Sequence, residues 1–364
     1  MTENDFVSSR YIENQIEGTV TWKSPSNIAL VKYWGKKENQ IPANPSISFT
    51  LDHCATTTTL AYVKRNKEQQ QERFSFDLLF EGSPKPEFKP KIGKFFERVE
   101  KYIPFVKDYH FSIDTSNSFP HSSGIASSAS GMSALALCLM SVEKALNEKI
   151  TNDYFNQKAS FLARLGSGSA CRSIEGEMVV WGQNEDVKEA SDLYGVKLSQ
   201  EIHSVFKNYQ DTILLVDKGQ KQVSSTVGHD LMHGHPFAEM RFKQAETNLS
   251  KLIKILQNGD QKGFIELVES EALTLHAMMM TSLPYFILMK PHTLQIINKI
   301  WEYRSATGSN LCFTLDAGAN VHLLYPENEK DTVLTFIKNE LVAYCENGQY
   351  ICDQIGLGAS LMDN

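Results

Sequence analysis

Four short segments of this chain combine residue types that can hold and move charge. The first reads Pro120-His-Ser-Ser-Gly-Ile-Ala-Ser-Ser-Ala-Ser-Gly131 and flows directly into an apolar helical pattern over 132–147. Ser122, Ser123, Ser127, Ser128 and Ser130 offer hydroxyls, Gly124 and Gly131 let the main chain approach closely, and Ile125 and Ala126 lie between. A helix starting there presents free N–H groups at the positive end of its dipole. Such a loop can cradle phosphate, or it can be a tight turn capped by serine. The second segment, Arg164-Leu-Gly-Ser-Gly-Ser-Ala-Cys-Arg-Ser173, joins hydroxyls to the fork-shaped cation of Arg172, which can clamp a carboxylate or phosphate through two parallel hydrogen bonds. Its alternative is a glycine-rich helix exit with a solvated arginine. In the third, Ser24 to Lys36, the cations Lys32 and Lys36 stand among Tyr33, Trp34 and Gly35. A lysine in apolar surroundings acts as a concentrated point charge, whereas a strand end with snorkelling lysines is the plainer reading. The fourth, Phe313-Thr-Leu-Asp-Ala-Gly-Ala-Asn320, places Asp316 at the end of an apolar strand. That position can cap a turn or hold a catalytic carboxylate rigidly.

The elements that must position these residues are legible from periodicity. Segments 18–23, 46–51, 56–63 and 74–80 are rich in β-branched and aromatic residues and predict strands. Helical spacing over 91–102 is followed by strand alternation at 109–114. The pattern at 132–147 is apolar nearly all round and predicts a central buried helix, followed by a second from a cap at Thr151 to Gly166 and a strand at 178–181. The polar stretch 183–207 reads as a linker or domain boundary. Beyond it come a short buried strand at 213–216, helices over 236–257, 262–280 and 291–303, strands at 312–315 and 321–325, and a last helix over 331–345. This divides the chain into a polar N-terminal arm (1–17), an N-terminal domain (18–205) and a C-terminal domain (206–364). Residues 64–73 form a polar, hairpin-like excursion.

Composition narrows the function. The chain has 364 residues, 41% hydrophobic and 22% charged, with a formal net charge of −7. That acidity argues against a nucleic-acid surface, and no run approaches the roughly 18 consecutive apolar residues of a membrane span. Cys54, Cys138, Cys171, Cys312, Cys345 and Cys352 form no Cys-x-x-Cys pair and read as reduced, partly buried thiols. The N-terminus lacks a basic flank followed by an apolar core, so the expected location is cytoplasmic. His229, His233 and His235 have no acid or cysteine at firm metal-ligand spacing and read as solvated loop histidines, so no metal site in the protein is expected.

The four segments, in this order, resemble the diphosphomevalonate decarboxylases, members of the GHMP kinase superfamily. The matching motifs are Asn27-Ile-Ala-Leu-Val-Lys-Tyr-Trp-Gly-Lys36, Gly124-Ile-Ala-Ser-Ser-Ala-Ser-Gly131, residues 164–173 and Asp316-Ala-Gly, with a weaker match at Val223-Ser-Ser-Thr-Val-Gly228. Together they span all but the first dozen or so residues, an arm expected to be mobile. The resemblance implies an α+β, two-domain GHMP kinase-like fold, with an active-site cleft between an N-terminal β-rich α/β domain and a C-terminal α+β domain. It implies ATP with Mg²⁺ as cofactors, and transfer of the γ-phosphoryl group to the tertiary 3-hydroxyl of (R)-5-diphosphomevalonate. Loss of phosphate and carbon dioxide then gives isopentenyl diphosphate. By the same resemblance Asp316 orients or deprotonates the hydroxyl, Arg172 and Lys32 hold the carboxylate, and Ser128 holds the phosphoryl group in transit. Tyr33, Trp34, Gly35, Lys36, Ser167, Gly168, Ser169, Ala170, Cys171, Arg172, Thr226 and Lys91 would bind the substrate's diphosphate end, the loop 122–130 would bind the ATP phosphates, and the chain would form a homodimer. The pattern departs from the family at His121-Ser-Ser123 (commonly Thr-Ala-Ala), at Ala319 (usually proline) and at Lys91 (often arginine). Two alternatives remain open: a relative that decarboxylates the 5-monophosphate or only phosphorylates the 3-hydroxyl, and a non-catalytic anion-binding paralogue.

Overall fold

β-Branched and aromatic runs in the first half build most of one large sheet. The computed structural model describes residues 1–8, 11, 17–66, 72–120, 125–218 and 225–363. The first half contributes β1 (Gly18–Val31), β2 (Ser46–Lys64), β3 (Ser75–Phe80), β4 (Ser83–Pro84), β5 (Tyr109–Asn117), β6 (Met178–Trp181) and β7 (Val196–Lys197), with helices α1 (Lys89–Val99), α2 (Ser127–Leu146) and α3 (Asn152–Gly166). The second half contributes β8 (Gln210–Leu214), α4 (Ser225–Asp230), α5 (Ala238–Asn258), α6 (Gln261–Met280), α7 (Pro291–Thr307), β9 (Cys312–Thr314), β10 (Val321–Tyr325), α8 (Lys330–Phe336), β11 (Tyr350–Gln354) and β12 (Ser360–Met362). The larger sheet runs β12-β1-β2-β5-β3-β4, with β6 and β7 attached to the other end of β2. The smaller is the antiparallel sheet β11-β8-β10-β9. The fold is α+β, as expected.

Helix α2 is the axis of the first core: Ala129, Met132, Leu135, Leu139 and Val142 are buried against β1, β2 and α3. By length and composition it is apolar enough to cross a membrane, and here that surface is packed inside the protein. A second core joins the two halves, with Ile28, Leu30, Val31, Ile47 and Phe49 packed with Leu249, Leu252, Phe264 and Val268 of α5 and α6. The later part of β1 is therefore buried, and the turn that follows it emerges between the domains.

Several expectations need correction. The strands expected at 46–51 and 56–63 are one strand, β2, bulged where its pairing with β1 jumps from Ala55 to Thr50. The Asp353 carboxylate on β11 accepts the N–H groups of Asp52, His53 and Cys54 at 2.9, 2.9 and 2.7 Å, so the unpaired bulge stays satisfied. The polar stretch 183–207 is no loose linker: Val187, Tyr194 and Leu198 are buried and β7 pairs with β6. The start of the N-terminal arm is docked. Phe6 is fully buried and stacks on Phe161 at 4.4 Å, while Tyr154 donates to the Asp5 carbonyl at 3.0 Å. Aromatic rings in the arm supply the apolar area that docking requires, Tyr11 packing edge-on against Phe105 at 5.5 Å. At the other end β12 crosses back to pair with β1, so a boundary at 205/206 leaves the chain's last strand on the first domain's sheet. The helix expected over 331–345 ends at Phe336 and continues as a π turn (Ile337–Leu341).

Candidate active site

Between the domains Lys32 and Asp316 meet. Lys32 follows β1 and is 1% exposed, Asp316 follows β9, and the ammonium donates to the carboxylate at 2.9 Å. Burial pushes the Lys32 amine below its ordinary range, and the Asp316 carboxylate offsets part of that effect. A snorkelling lysine is thereby excluded. The main chain of Lys32 is gripped as firmly as its side chain. Its N–H donates to Glu271 of α6 at 2.9 Å, and its carbonyl accepts from Asn44 at 3.0 Å and Arg241 of α5 at 3.2 Å. Arg241 and Glu271 form a buried two-pronged ion pair at 2.9 and 2.5 Å, to which Asn248 adds a third donor at 2.6 Å. On the Asp316 side, His276 of α6 donates from Nε2 to the Asp316 carbonyl at 3.1 Å. Burial pushes His276 down to about 4, so at neutral pH it is an uncharged donor.

Arg172 stands in a 3₁₀ turn (Gly168–Ser173) and is buried. Its Nε and Nη1 donate to Ser48 and Ser46 of β2 at 2.9 and 2.5 Å, and its Cζ lies 5.8 Å from the Trp181 ring centroid. Two hydroxyls thus aim the fork without cancelling its charge. The turn itself is fixed through its carbonyls: Ser133 donates to Ala170 at 2.6 Å, Ser160 to Cys171 at 2.8 Å, Asn27 to Ser169 at 3.2 Å and Ser24 to Ser173 at 3.0 Å. Ala170 and Cys171 are buried, and the Ala170 N–H is committed to the Ser167 carbonyl at 2.8 Å. Gly168 is required because a Cβ there would lie 2.8 Å from the Tyr33 hydroxyl oxygen and 2.9 Å from Trp181.

Tyr33 packs against Trp181 with ring centroids 4.7 Å apart, Trp34 enters a small apolar cluster with Met232, Leu275 and Met279, and Lys36 approaches Asp230 at 3.4 Å. Ser128, exposed on the first turn of α2, lies 3.3 Å from the Ser167 hydroxyl, which joins the serine loop to the arginine turn. Ala126 takes the left-handed conformation at the start of α2 and Ser127 begins the helix. Ile125 is buried, and its carbonyl accepts from Ser26 at 2.6 Å. Ser130 does not belong to this surface: its hydroxyl is buried one turn further along α2 and bonded to Thr56 at 2.6 Å. Ser122, Ser123 and Gly124 lie outside the described residues, as does His121; Thr226 is in the first turn of α4. Lys91, on the first turn of α1, is exposed, and among the described residues it makes no hydrogen bond or ion pair to the site. His229 and His235 are buried, not solvated; His233 is exposed. Among the described residues no group of three or more His, Cys, Asp or Glu could hold a metal.

Residues 24–192 match the family model described as the diphosphomevalonate decarboxylase-like N-terminal domain, and residues 212–357 match the mevalonate 5-diphosphate decarboxylase C-terminal domain. The chain belongs to the diphosphomevalonate decarboxylase family. A diphosphomevalonate decarboxylase from Ganoderma lucidum is 28% identical over 360 residues, covering 93% of this chain and 84% of its own length. The crystal structure of mevalonate diphosphate decarboxylase from Staphylococcus aureus is similar at a TM-score of 0.80 and 28% identity, covering 96% of this chain and 99% of that one. A solved complex of MDDEF with MVAPP, AMPPCP and magnesium also gives a TM-score of 0.80, at 26% identity, covering 96% of this chain and 100% of that one.

For this member of the diphosphomevalonate decarboxylase family, sequence reasoning missed four residues that hold the site. Glu271, Arg241 and His276 sit inside helical runs whose apolar spacing masks a buried polar residue, so no local signal exposes them. His229 had a signal, since it adjoins the recognised Val-Gly pair, but its burial depends on the rings of Tyr33 and Trp34.

Proposed function

We infer that this chain catalyses ATP-dependent decarboxylation of (R)-5-diphosphomevalonate to isopentenyl diphosphate, releasing ADP, phosphate and carbon dioxide. The observation that carries this reading is the Lys32–Asp316 pair at 2.9 Å where the two halves of the chain meet, with Arg172 close enough to feel the Asp316 charge. Family membership and the similar complex with MVAPP and AMPPCP support it.

A tertiary alcohol is a hindered nucleophile, so phosphoryl transfer to it depends on positioning and charge neutralisation more than on base strength. Asp316, fixed by Lys32 at its carboxylate and by His276 at its carbonyl, orients the 3-hydroxyl and takes its proton. Ser128, beside Ser167, holds the phosphoryl group in transit. Lys32 and Arg172 hold the substrate carboxylate through charge-assisted hydrogen bonds. Departure of the 3-phosphate leaves positive character at carbon 3, the carbon–carboxylate bond breaks, and its electron pair becomes the double bond. Tyr33, Lys36, Ser167 and Ser169 face the diphosphate end. ATP phosphates meet Ser127, Ser128 and the positive N-terminal end of α2. Those hydroxyl and amide donors suit a nucleotide that brings its own Mg²⁺, and the ion, when bound, supplies neutralisation of phosphate charge.

Purified protein with ATP, Mg²⁺ and (R)-5-diphosphomevalonate should release carbon dioxide and ADP in equal amounts. Asp316→Ala should abolish both while the circular-dichroism spectrum is retained. ADP without carbon dioxide overturns the decarboxylase reading, and turnover of the 5-monophosphate in preference to the diphosphate corrects the substrate.

A further inference from the structure

His229 lies on α4 in the second half of the chain, and its ring contacts first-half residues at the domain junction. It packs against Tyr33 with centroids 4.2 Å apart and against Trp34 at 4.7 Å. Its Nδ1 accepts the Gly35 N–H at 2.9 Å. That contact assigns the tautomer, since Nδ1 can accept only if the proton resides on Nε2. Gly35 is the residue where the chain turns sharply after β1, with φ of +100°, and a Cβ there would lie 2.9 Å from Phe242 of α5. The neighbouring Gly228 brings α4 onto Trp34: a Cβ at that glycine would lie 2.5 Å from the indole. One turn of α4 therefore grips Tyr33, Trp34 and Gly35 together, and Asp230 reaches Lys36 at 3.4 Å.

Among the described residues, the charged and titratable groups around His229 are Lys36 after β1, Arg172 on the 3₁₀ turn, Asp230 on α4 itself and the Tyr33 phenol. Burial first, then the Lys36 and Arg172 charges, push the imidazole down to about 3, so it stays neutral at working pH.

We propose that His229 is a positioning residue for the substrate's diphosphate end: as a neutral acceptor it locks the Gly35 peptide and thereby aims Tyr33 and Lys36 into the cleft. The proposal rests on the function inferred above. It separates His229 from the chemical step, because Lys32 and Asp316 are held independently by Glu271 and His276. It also excludes a role for His229 as an imidazolium that pairs with phosphate.

The test compares wild type, His229→Leu and His229→Asn; the Asn side-chain oxygen can take the place of Nδ1 as acceptor. KM for diphosphomevalonate is measured from pH 5.5 to 8, and binding of inorganic diphosphate by calorimetry, which needs no turnover. Expected results are a KM about tenfold higher in His229→Leu, exceeding any loss in kcat, recovery to within about threefold in His229→Asn, and a wild-type KM unchanged by His229 titration across the range. Diphosphate affinity should fall in the Leu variant and recover in the Asn variant. An Asn variant as weak as Leu, or a wild-type KM that rises through pH 6–7 and is flat in Asn, overturns the proposal. Absence of wild-type turnover instead counts against the inferred function, and the calorimetric comparison still decides the role of His229.

Discussion

Replacing Glu271 with leucine separates the stability of the domain junction from the chemistry that depends on it. The Glu271 carboxylate is fully buried and accepts four hydrogen bonds: two from Arg241, one from Asn248 and one from the Lys32 main chain. Removing it leaves the Arg241 guanidinium buried without its counter-ion, and breaking a buried pair in this way costs about 3–5 kcal/mol. Against a typical domain stability of roughly 5–15 kcal/mol, that is a large shift in a urea midpoint. The Lys32 N–H also loses its acceptor, which frees the residue whose ammonium lies 2.9 Å from Asp316. A displacement of about 1 Å at a reacting centre can cost about 100-fold in rate, so kcat should fall by about that factor. The double variant Arg241→Met/Glu271→Leu removes the orphaned charge and should regain most of the stability, because apolar replacement of a buried pair is often neutral or better. It cannot restore the acceptor for the Lys32 N–H, so kcat should stay low. Urea denaturation and steady-state kinetics on the three proteins are sufficient. A single variant within about 1 kcal/mol of wild type, or a double variant that recovers kcat along with stability, refutes the argument.

Two further outcomes follow from buried side chains, one in the N-terminal arm and one behind Asp316. Phe6→Ala removes a fully buried ring stacked on Phe161 and should cost about 3–5 kcal/mol by urea denaturation; a loss below about 1 kcal/mol means the arm is not docked in solution. His276 is held near 4, below its ordinary 6.5, so its contribution to stability is complete above about pH 6.5 and is lost as pH falls towards 4. The shift is worth roughly 3 kcal/mol in total, and His276→Gln, which keeps a donor for the Asp316 carbonyl but does not titrate, should lose less stability than wild type over that window. Parallel decline of the two proteins would show that His276 does not titrate there.

Elements whose own periodicity matches their burial were readable in advance. Helix α2 is apolar nearly all round because it is buried on most of its surface, and α3 starts after the cap Thr151, whose hydroxyl accepts from the Tyr154 N–H at 3.3 Å. Strand β2 read as two strands because its break is a bulge, satisfied by Asp353 about 300 positions further along the chain. Strand β12 is exposed along its length and carries no alternation that would have announced it. In the serine loop, residue type alone could not tell Ser128, which is exposed, from Ser130, whose hydroxyl is spent on Thr56.

By itself, the sequence determined which chemistry was available: hydroxyls and glycines before a helix, a guanidinium in a tight turn, lysines at a strand end, and a carboxylate after a short strand. Those are local properties, since residue type and neighbouring turn formers create them. The tertiary structure alone decided which groups meet and in what charge state. Lys32 and Asp316 are 284 positions apart, and only the packing of β1 against α5 and α6 brings them to 2.9 Å. The neutrality of His229 and His276 is likewise a consequence of burial, because desolvation acts on a side chain only after distant segments have closed over it.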